Sequence, residues 1–214
     1  MKIVSIKSLI FPEVKVIKFE RYKDFRGYFT ESYRKSELFN NPNIDFFKNF
    51  EFLQSNESFS KRKALRGLHF QWNPYVGKLV RTLYGHIIDL FLDIRLGSPT
   101  FGKIAAYDMP NSQIESFGEW IWIPPGFAHG CLSLEKTLLE YFCTGEYNPK
   151  CEASISPLSE DLDWSLCDYK LKKIYHKFAF KTKLITHKDK IGFSIEDWKK
   201  DKRSDNFIYG QKIT

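Results

Sequence analysis

Apolar and polar positions along the chain alternate in short runs instead of recurring every third or fourth residue. "VKVIKFERY", "FEFLQSNESF", "KIAAYDM" and "EWIWIPPG" are examples of these short runs. That period of two puts successive side chains on opposite faces of a strand. The N-terminal "MKIVSIKSLIFPEV" alternates too and predicts a first strand, and "RGYFTESY" predicts another. "KLVRTLYGHIIDLFLDIR" predicts two strands joined as a hairpin near Tyr84-Gly85. Gly, Pro and Asn signals separate the runs up to about residue 157, and many short strands at this spacing predict a barrel or jelly roll. Helical signals are sparse. "RKSELFNN" is a short candidate, and residues 194–203, "SIEDWKKDKR", open with a serine cap followed by acids. The pattern predicts one all-β domain over residues 1–214, with short helices mainly at the C-terminus and residues 190–214 as an appendage.

Within this pattern the stretch "LRGLHFQ", Leu65 to Gln71, is anomalous. In plain register Leu65, Gly67, His69 and Gln71 share one face, with Arg66, Leu68 and Phe70 on the other. Arg66 then falls on the apolar side. Glycine inside a strand marks a bulge or a close backbone approach, and a bulge at Gly67 would bring Arg66 round beside His69. A cation and an imidazole would then share a pocket.

Composition narrows the class. With 214 residues and 43% hydrophobic content the chain can bury a sizeable core, and 17% aromatic content favours packed sheets. The four cysteines, Cys131, Cys143, Cys151 and Cys167, have no C-x-x-C spacing, so they read as reduced thiols of a cytoplasmic protein. The longest apolar run, "IIDLFLDI", is interrupted by Asp89 and Asp93 and is too short to span a bilayer. The N-terminus lacks the unbroken apolar block of a signal peptide. No membrane association is expected. The net charge of +7 is read as spread along the chain, densest in "WKKDKR", and assigned to a solvated face; no nucleic-acid partner is expected. A basic pocket for a small phosphorylated ligand stays open.

Of the five histidines, His86 follows the turn glycine and is expected in an exposed turn, and His176 and His187 lie in lysine-rich stretches expected at the surface. His69 and His129 sit in runs with little other polarity, "RGLHFQ" and "PPGFAHGC". Pro124-Pro125-Gly126 predicts a tight turn ahead of His129. Tyr141 lies in an apolar strand and Lys78 at a strand start, where packing and edge roles compete with chemistry. These residues suggest a barrel with a pocket lined by His, Arg, Lys and Tyr. The His-x-His and glutamate cluster of metal-binding barrels is missing, so no metal and no cofactor are expected.

Taken in order, "DFRGYFTES", "LQSNESFS", "LRGLHFQ", "GKLVR", "DIRLGSPTFGK", "WIPPGFAHG", "EYNPKCE" and "ITHKDK" resemble the dTDP-4-dehydrorhamnose 3,5-epimerase family. The likeness covers roughly residues 10 to 190. It implies a cupin-type jelly-roll barrel, an isomerase of nucleotide-linked 4-keto sugars in surface-polysaccharide synthesis (capsule or lipopolysaccharide), and a homodimer.

The resemblance also implies roles. His69 matches the catalytic base, Asp189 the carboxylate bonded to it, Tyr141 the general acid on the opposite face of the sugar, and Lys78 a cation near the keto oxygen. Arg26, Glu31, Gln54, Asn56, Arg66, His129 and Glu152 match substrate-contacting positions, with Arg26 and Glu31 reaching a pocket across the dimer interface. The chemistry needs these types. A ketone at C4 acidifies the protons at C3 and C5, because the carbanion is delocalised onto oxygen. An imidazole, with an ordinary pKa of about 6.5, suits their removal. A carboxylate behind it fixes the tautomer and favours the imidazolium, and a fixed cation stabilises the enolate.

Three departures from the family pattern bear on substrate choice: Glu146-Tyr147 where two tyrosines are common, Ser55 and Glu57 within the "QSNES" stretch, and "ISPLSEDLDW" after the glutamate. They leave dTDP-linked 4-keto-6-deoxyhexoses and GDP-linked 4-keto-heptoses both open, along with inversion at C3 alone. A catalytically inactive sugar-nucleotide-binding barrel and a metal-dependent cupin oxygenase are the competing classes.

Overall fold

The computed structural model describes residues 1–111 and 115–211. Thirteen strands are present among them: β1 (Ile3–Ser8), β2 (Lys15–Glu20), β3 (Tyr22–Asp24), β4 (Gly27–Phe29), β5 (Gln54–Ser60), β6 (Leu65–Gln71), β7 (Lys78–Tyr84), β8 (His86–Asp93), β9 (Ile104–Pro110), β10 (Phe117–Ile123), β11 (Phe127–Ser133), β12 (Thr137–Cys143) and β13 (Glu152–Ser154). One sheet runs β1-β2-β10-β7-β12-β5 and the other β13-β6-β11-β8-β9, while β3 and β4 form a separate hairpin. The expected all-β jelly-roll architecture is present.

Alternation sets the layers. Val16, Val80, Ile121, Ile123 and Leu139 from the first sheet pack against Ile87, Phe91, Met109 and Phe127 from the second. The outer face of the first sheet buries Ile17, Phe19, Trp120 and Trp122 beneath α1 (Lys35–Phe39) and a 3-10 turn at Asp45–Phe47. The outer face of the second sheet buries Leu68, Phe70, Leu90 and Leu132. Three further helices lie in the C-terminal part: α2 (Tyr169–Ala179), α3 (His187–Lys190) and α4 (Ile195–Lys200). Trp198 of α4 is fully buried, with its ring centroid 4.7 Å from that of Phe70. The segment read as an appendage thus supplies part of this core; its last three residues, 212–214, lie outside the described ones.

Several expectations need correction. The stretch through Tyr84-Gly85 is not a hairpin. β7 pairs with β10 and β12, whereas β8 pairs with β11 and β9, so Gly85 carries the chain from one sheet to the other. Its φ of +86° and the 2.1 Å that would separate an added Cβ from the Lys136 carbonyl require glycine there. His86 is half-buried at the start of β8, its Nε2 2.6 Å from Asp108 Oδ1. His176 is also not a plain surface residue, since its ring stacks on Phe180 at 5.6 Å and packs by Trp164. Helix α2 has no counterpart in the alternating pattern. Asp168 caps it, accepting from the backbone N–H groups of Lys170 and Leu171. "RGYFTESY" is strand only over Gly27–Phe29. The helices expected near residues 35 and 195 are present, the latter capped by Ser194.

Candidate active site

The site grows out of the anomaly in β6. Between the cross-strand pairs His129↔His69 and Cys131↔Arg66, β11 has one residue and β6 has two, Gly67 and Leu68. That extra residue is a bulge. It returns Leu65 and Leu68 to the outer apolar face and turns both Arg66 and His69 inward. Gly67 has a φ of +106°, and a Cβ there would lie 2.5 Å from the Gly130 Cα, so only glycine lets β6 and β11 approach this closely.

Arg66, His69, Lys78, His129, Tyr141 and Asp189 all line a cavity of about 300 Å³ between the sheets. An adjoining lobe of about 270 Å³ shares His69, Lys78 and Tyr141 and adds Gln54, Asn56, Tyr147 and Glu152. Nine of the eleven residues expected at the site therefore surround one connected space. His69 rises from the second sheet, Tyr141 and Lys78 from the first.

His69 Nε2 lies 2.7 Å from Asp189 Oδ1, and Asp189 is buried. Asp189 sits in α3, where Thr186 Oγ1 accepts from the Asp189 backbone N–H at 3.2 Å. This Thr-x-x-Asp cap is a local device that fixes the helix start. Burial alone would raise the Asp189 carboxyl. Hydrogen bonds from His69, Thr186 and the Gly67 backbone outweigh it and hold the group below its ordinary range. The acid stays ionised behind the imidazole, whose second nitrogen has no protein partner among the described residues.

Tyr141 is placed on β12 between Asn56 of β5 and Val80 of β7. Burial, with Cys143 close by, pushes its phenol above the ordinary value, so it keeps its proton at neutral pH. Lys78 has no ion pair among the described residues; burial pushes its amine down, against the pull of Cys143, Glu152 and Asp89. Arg66 is aimed by Ser60 Oγ, which accepts from Nε at 2.9 Å, and by the Phe59 carbonyl.

The second lobe is held by amide bonds. Gln54 Nε2 donates to Asn56 Oδ1 at 2.9 Å, and Gln54 Oε1 accepts from the Tyr147 N–H at 2.8 Å. Glu152 accepts from the Tyr147 hydroxyl at 3.1 Å and pairs with Lys188. Arg26 and Glu31 lie elsewhere. Arg26 is exposed at the β3–β4 tip, 2.7 Å from Asp24, and Glu31 pairs with the N-terminal amine and Arg34. Neither lines this chain's own cavity.

One participant escaped the sequence reading. Asp89 is fully buried on the inner face of β8, and its Oδ1 lies 2.8 Å from His129 Nε2, making a second His–Asp pair at the cavity wall. An acid inside "IIDLF" was the available signal. Lys188, beside Asp189, lines the cavity as well. Among the described residues no three His, Cys, Asp or Glu side chains are grouped to hold a metal ion. A separate recess of about 260 Å³, lined by Lys18, Tyr107 and Glu119, contains no histidine, and there the Tyr107 hydroxyl donates to Glu119 at 3.0 Å.

Comparison with known proteins follows the same geometry. Residues 8–197 match the family model described as dTDP-4-dehydrorhamnose 3,5-epimerase. The enzyme of that name from Methanothermobacter thermautotrophicus is 37% identical over 154 residues, covering 71% of this chain and 78% of the relative. The one from Neisseria gonorrhoeae is 39% identical over 150 residues, 70% of this chain, but the match spans only 43% of that protein's length. Among solved structures, dTDP-6-deoxy-D-glucose-3,5-epimerase from Legionella pneumophila, in complex with dTDP-4-keto-L-rhamnose, superposes with a TM-score of 0.77 at 31% identity. That alignment covers 97% of this chain and 99% of the other.

Proposed function

The chain belongs to the dTDP-4-dehydrorhamnose 3,5-epimerase family, and from that premise we propose that it epimerises a nucleotide-diphosphate-linked 4-keto sugar at C3, C5 or both. The observation that carries this reading is the pairing of His69 with Asp189 across one cavity from Tyr141, on facing sheets.

In this scheme the sugar ring lies between the sheets. His69 takes the proton beside the C4 ketone, and the ionised Asp189 stabilises the imidazolium. The electron pair moves onto O4, where protonated Lys78 offsets the developing charge. One such donor is worth about 10²–10³ in rate. Tyr141, protonated at neutral pH, returns a proton from the opposite sheet, so the centre is inverted. His69 and the tyrosinate then exchange protons with water to reset. No step draws on a metal or cofactor. His129, fixed by Asp89, and Arg66 hold the sugar and diphosphate, and Gln54, Asn56 and Glu152 line the nucleotide lobe. The β3–β4 hairpin fits a role across a homodimer: it displays Arg26 with Phe25 at 97% and Phe29 at 67% exposure, outside its own cavity. Among the described residues no helix is long and apolar enough to cross a membrane; the cytoplasm as this protein's site of action is part of the proposal.

The test is turnover in heavy water of a panel of dTDP- and GDP-linked 4-keto hexoses and heptoses, with product stereochemistry read by NMR. Deuterium at C3, C5 or both is expected with at least one member, and its position reports which centre is inverted. No incorporation with any of them would overturn the reading.

A further inference from the structure

The charge of this protein is less evenly spread than its composition suggests. Residues 169–190 hold eight lysines and a single acid, Asp189. The rest of the chain holds 25 basic and 25 acidic residues, so the whole excess of +7 resides in this one segment, α2 to α3. That corrects the reading of a dispersed charge densest in "WKKDKR", where acids neutralise the lysines.

The fold then places the end of this segment, Thr186, Lys188 and Asp189, on the cavity wall, and α2 leads up to it. Its lone acid is turned inward onto His69 and offsets nothing at the surface. Lys177 of α2 and Lys63 of the β5–β6 turn both lie 5.4 Å from the Phe178 ring. The Thr182 hydroxyl donates to the Lys63 carbonyl at 2.6 Å, so basic residues of two segments merge into one surface. Lys61, Lys177, Lys181 and Lys183 are exposed and have no carboxylate partner among the described residues. From there a groove of about 430 Å³, lined by Lys61, Lys183, Arg66 and Thr186, leads on. Arg66 and Thr186 also line the sugar cavity, so the groove and the cavity share a wall.

We propose that this surface is an electrostatic approach path that captures the diphosphate of the nucleotide sugar and delivers it past Arg66 into the cavity. The inference rests on the nucleotide-sugar reading and extends it to how the substrate arrives. A patch of one sign next to a cleft raises the local concentration of an oppositely charged ligand, accelerating association by about 10- to 1,000-fold. Salt removes the effect, because the screening length falls from ~30 Å at 0.01 M to about 8 Å at 0.15 M. The path acts on association and leaves the chemical step unchanged.

The test compares two charge-reversed proteins with the parent. In one, Lys177, Lys181 and Lys183 become Glu; in the other, Lys199, Lys200 and Lys202 of the "WKKDKR" stretch do. Stopped-flow association with fluorescently labelled dTDP and GDP is measured at ~10 mM and ~0.5 M salt. The first variant is expected to bind about tenfold more slowly at low salt and to match the parent at high salt, with kcat on any turned-over sugar unchanged. The second should match the parent throughout. A neutral Lys→Gln version of the first triple, which removes charge without adding acids to the last turn of α2, should lie in between. Equal rates for the parent and the first variant at low salt, or equal slowing in both variants, would overturn the path. Nucleotide capture without deuterium exchange would overturn the epimerase reading and leave the path standing; no capture of either nucleotide would overturn both.

Discussion

The space between the two sheets is occupied in two ways. In one part, Phe11 packs on Phe91 and Phe127 with ring centroids 5.8 and 5.3 Å away, and Val16, Ile121 and Ile123 close around them. In the other part, His69, Lys78, His129 and Tyr141 surround an open cavity. The same strands build both. On the inner face of β11, Phe127 belongs to the filled part, and His129 and Cys131, two and four residues on, face the open one. The filled part gains from burial, at about 25 cal/mol per Å² of apolar surface. In the open part, polar groups withdrawn from water need partners. His69 and His129 have theirs in Asp189 and Asp89. Stability and chemistry are therefore separable within one interior.

Mutations should divide along that line. The largest effect is expected from His69→Asn, which should lower deuterium exchange about 10²–10⁴-fold with little change in the urea midpoint. A large loss of stability would show that His69 holds the fold. Phe91→Ala, in the filled part, should cost about 3–5 kcal/mol in urea unfolding while folded molecules keep their kcat. A fall in kcat with stability intact would erase the division. Lys78→Met should reduce kcat about 10²–10³-fold, and pH sharpens this case. Burial lowers the pKa of Lys78, so the protonated form is present below that lowered value and is lost as pH rises through it. The alkaline decline of kcat should start below the ordinary lysine range and shift upward in Lys78→Arg. A limb that stays fixed would remove this cation from the mechanism.

Much of this was legible in the residues. Period-two alternation located most strands, the serine before "IEDW" predicted the cap of α4, and the glycine in "LRGLHFQ" predicted the bulge that pairs Arg66 with His69 inside the cavity. Other features were not. Helix α2 was missed because its apolar stripe, Leu171, Ile174, Tyr175 and Phe178, is interleaved with lysines that read as a solvated run. Asp89 was seen only as an interruption of an apolar stretch, since nothing local says that it meets a histidine forty residues on.

The sequence by itself determined which residues alternate, where the backbone must bulge or turn, and which side chains could move a proton. Only the tertiary structure decided that β7 and β8 part at Gly85 into different sheets, and that Asp189 returns 120 residues later to meet His69. It also decided that the end of one lysine-rich segment comes to lie on the cavity wall. The reason is one of range. Steric preference and side-chain direction are fixed within a few bonds, whereas the partner of a strand or a buried charge is chosen by the collective burial of surfaces distant in the chain.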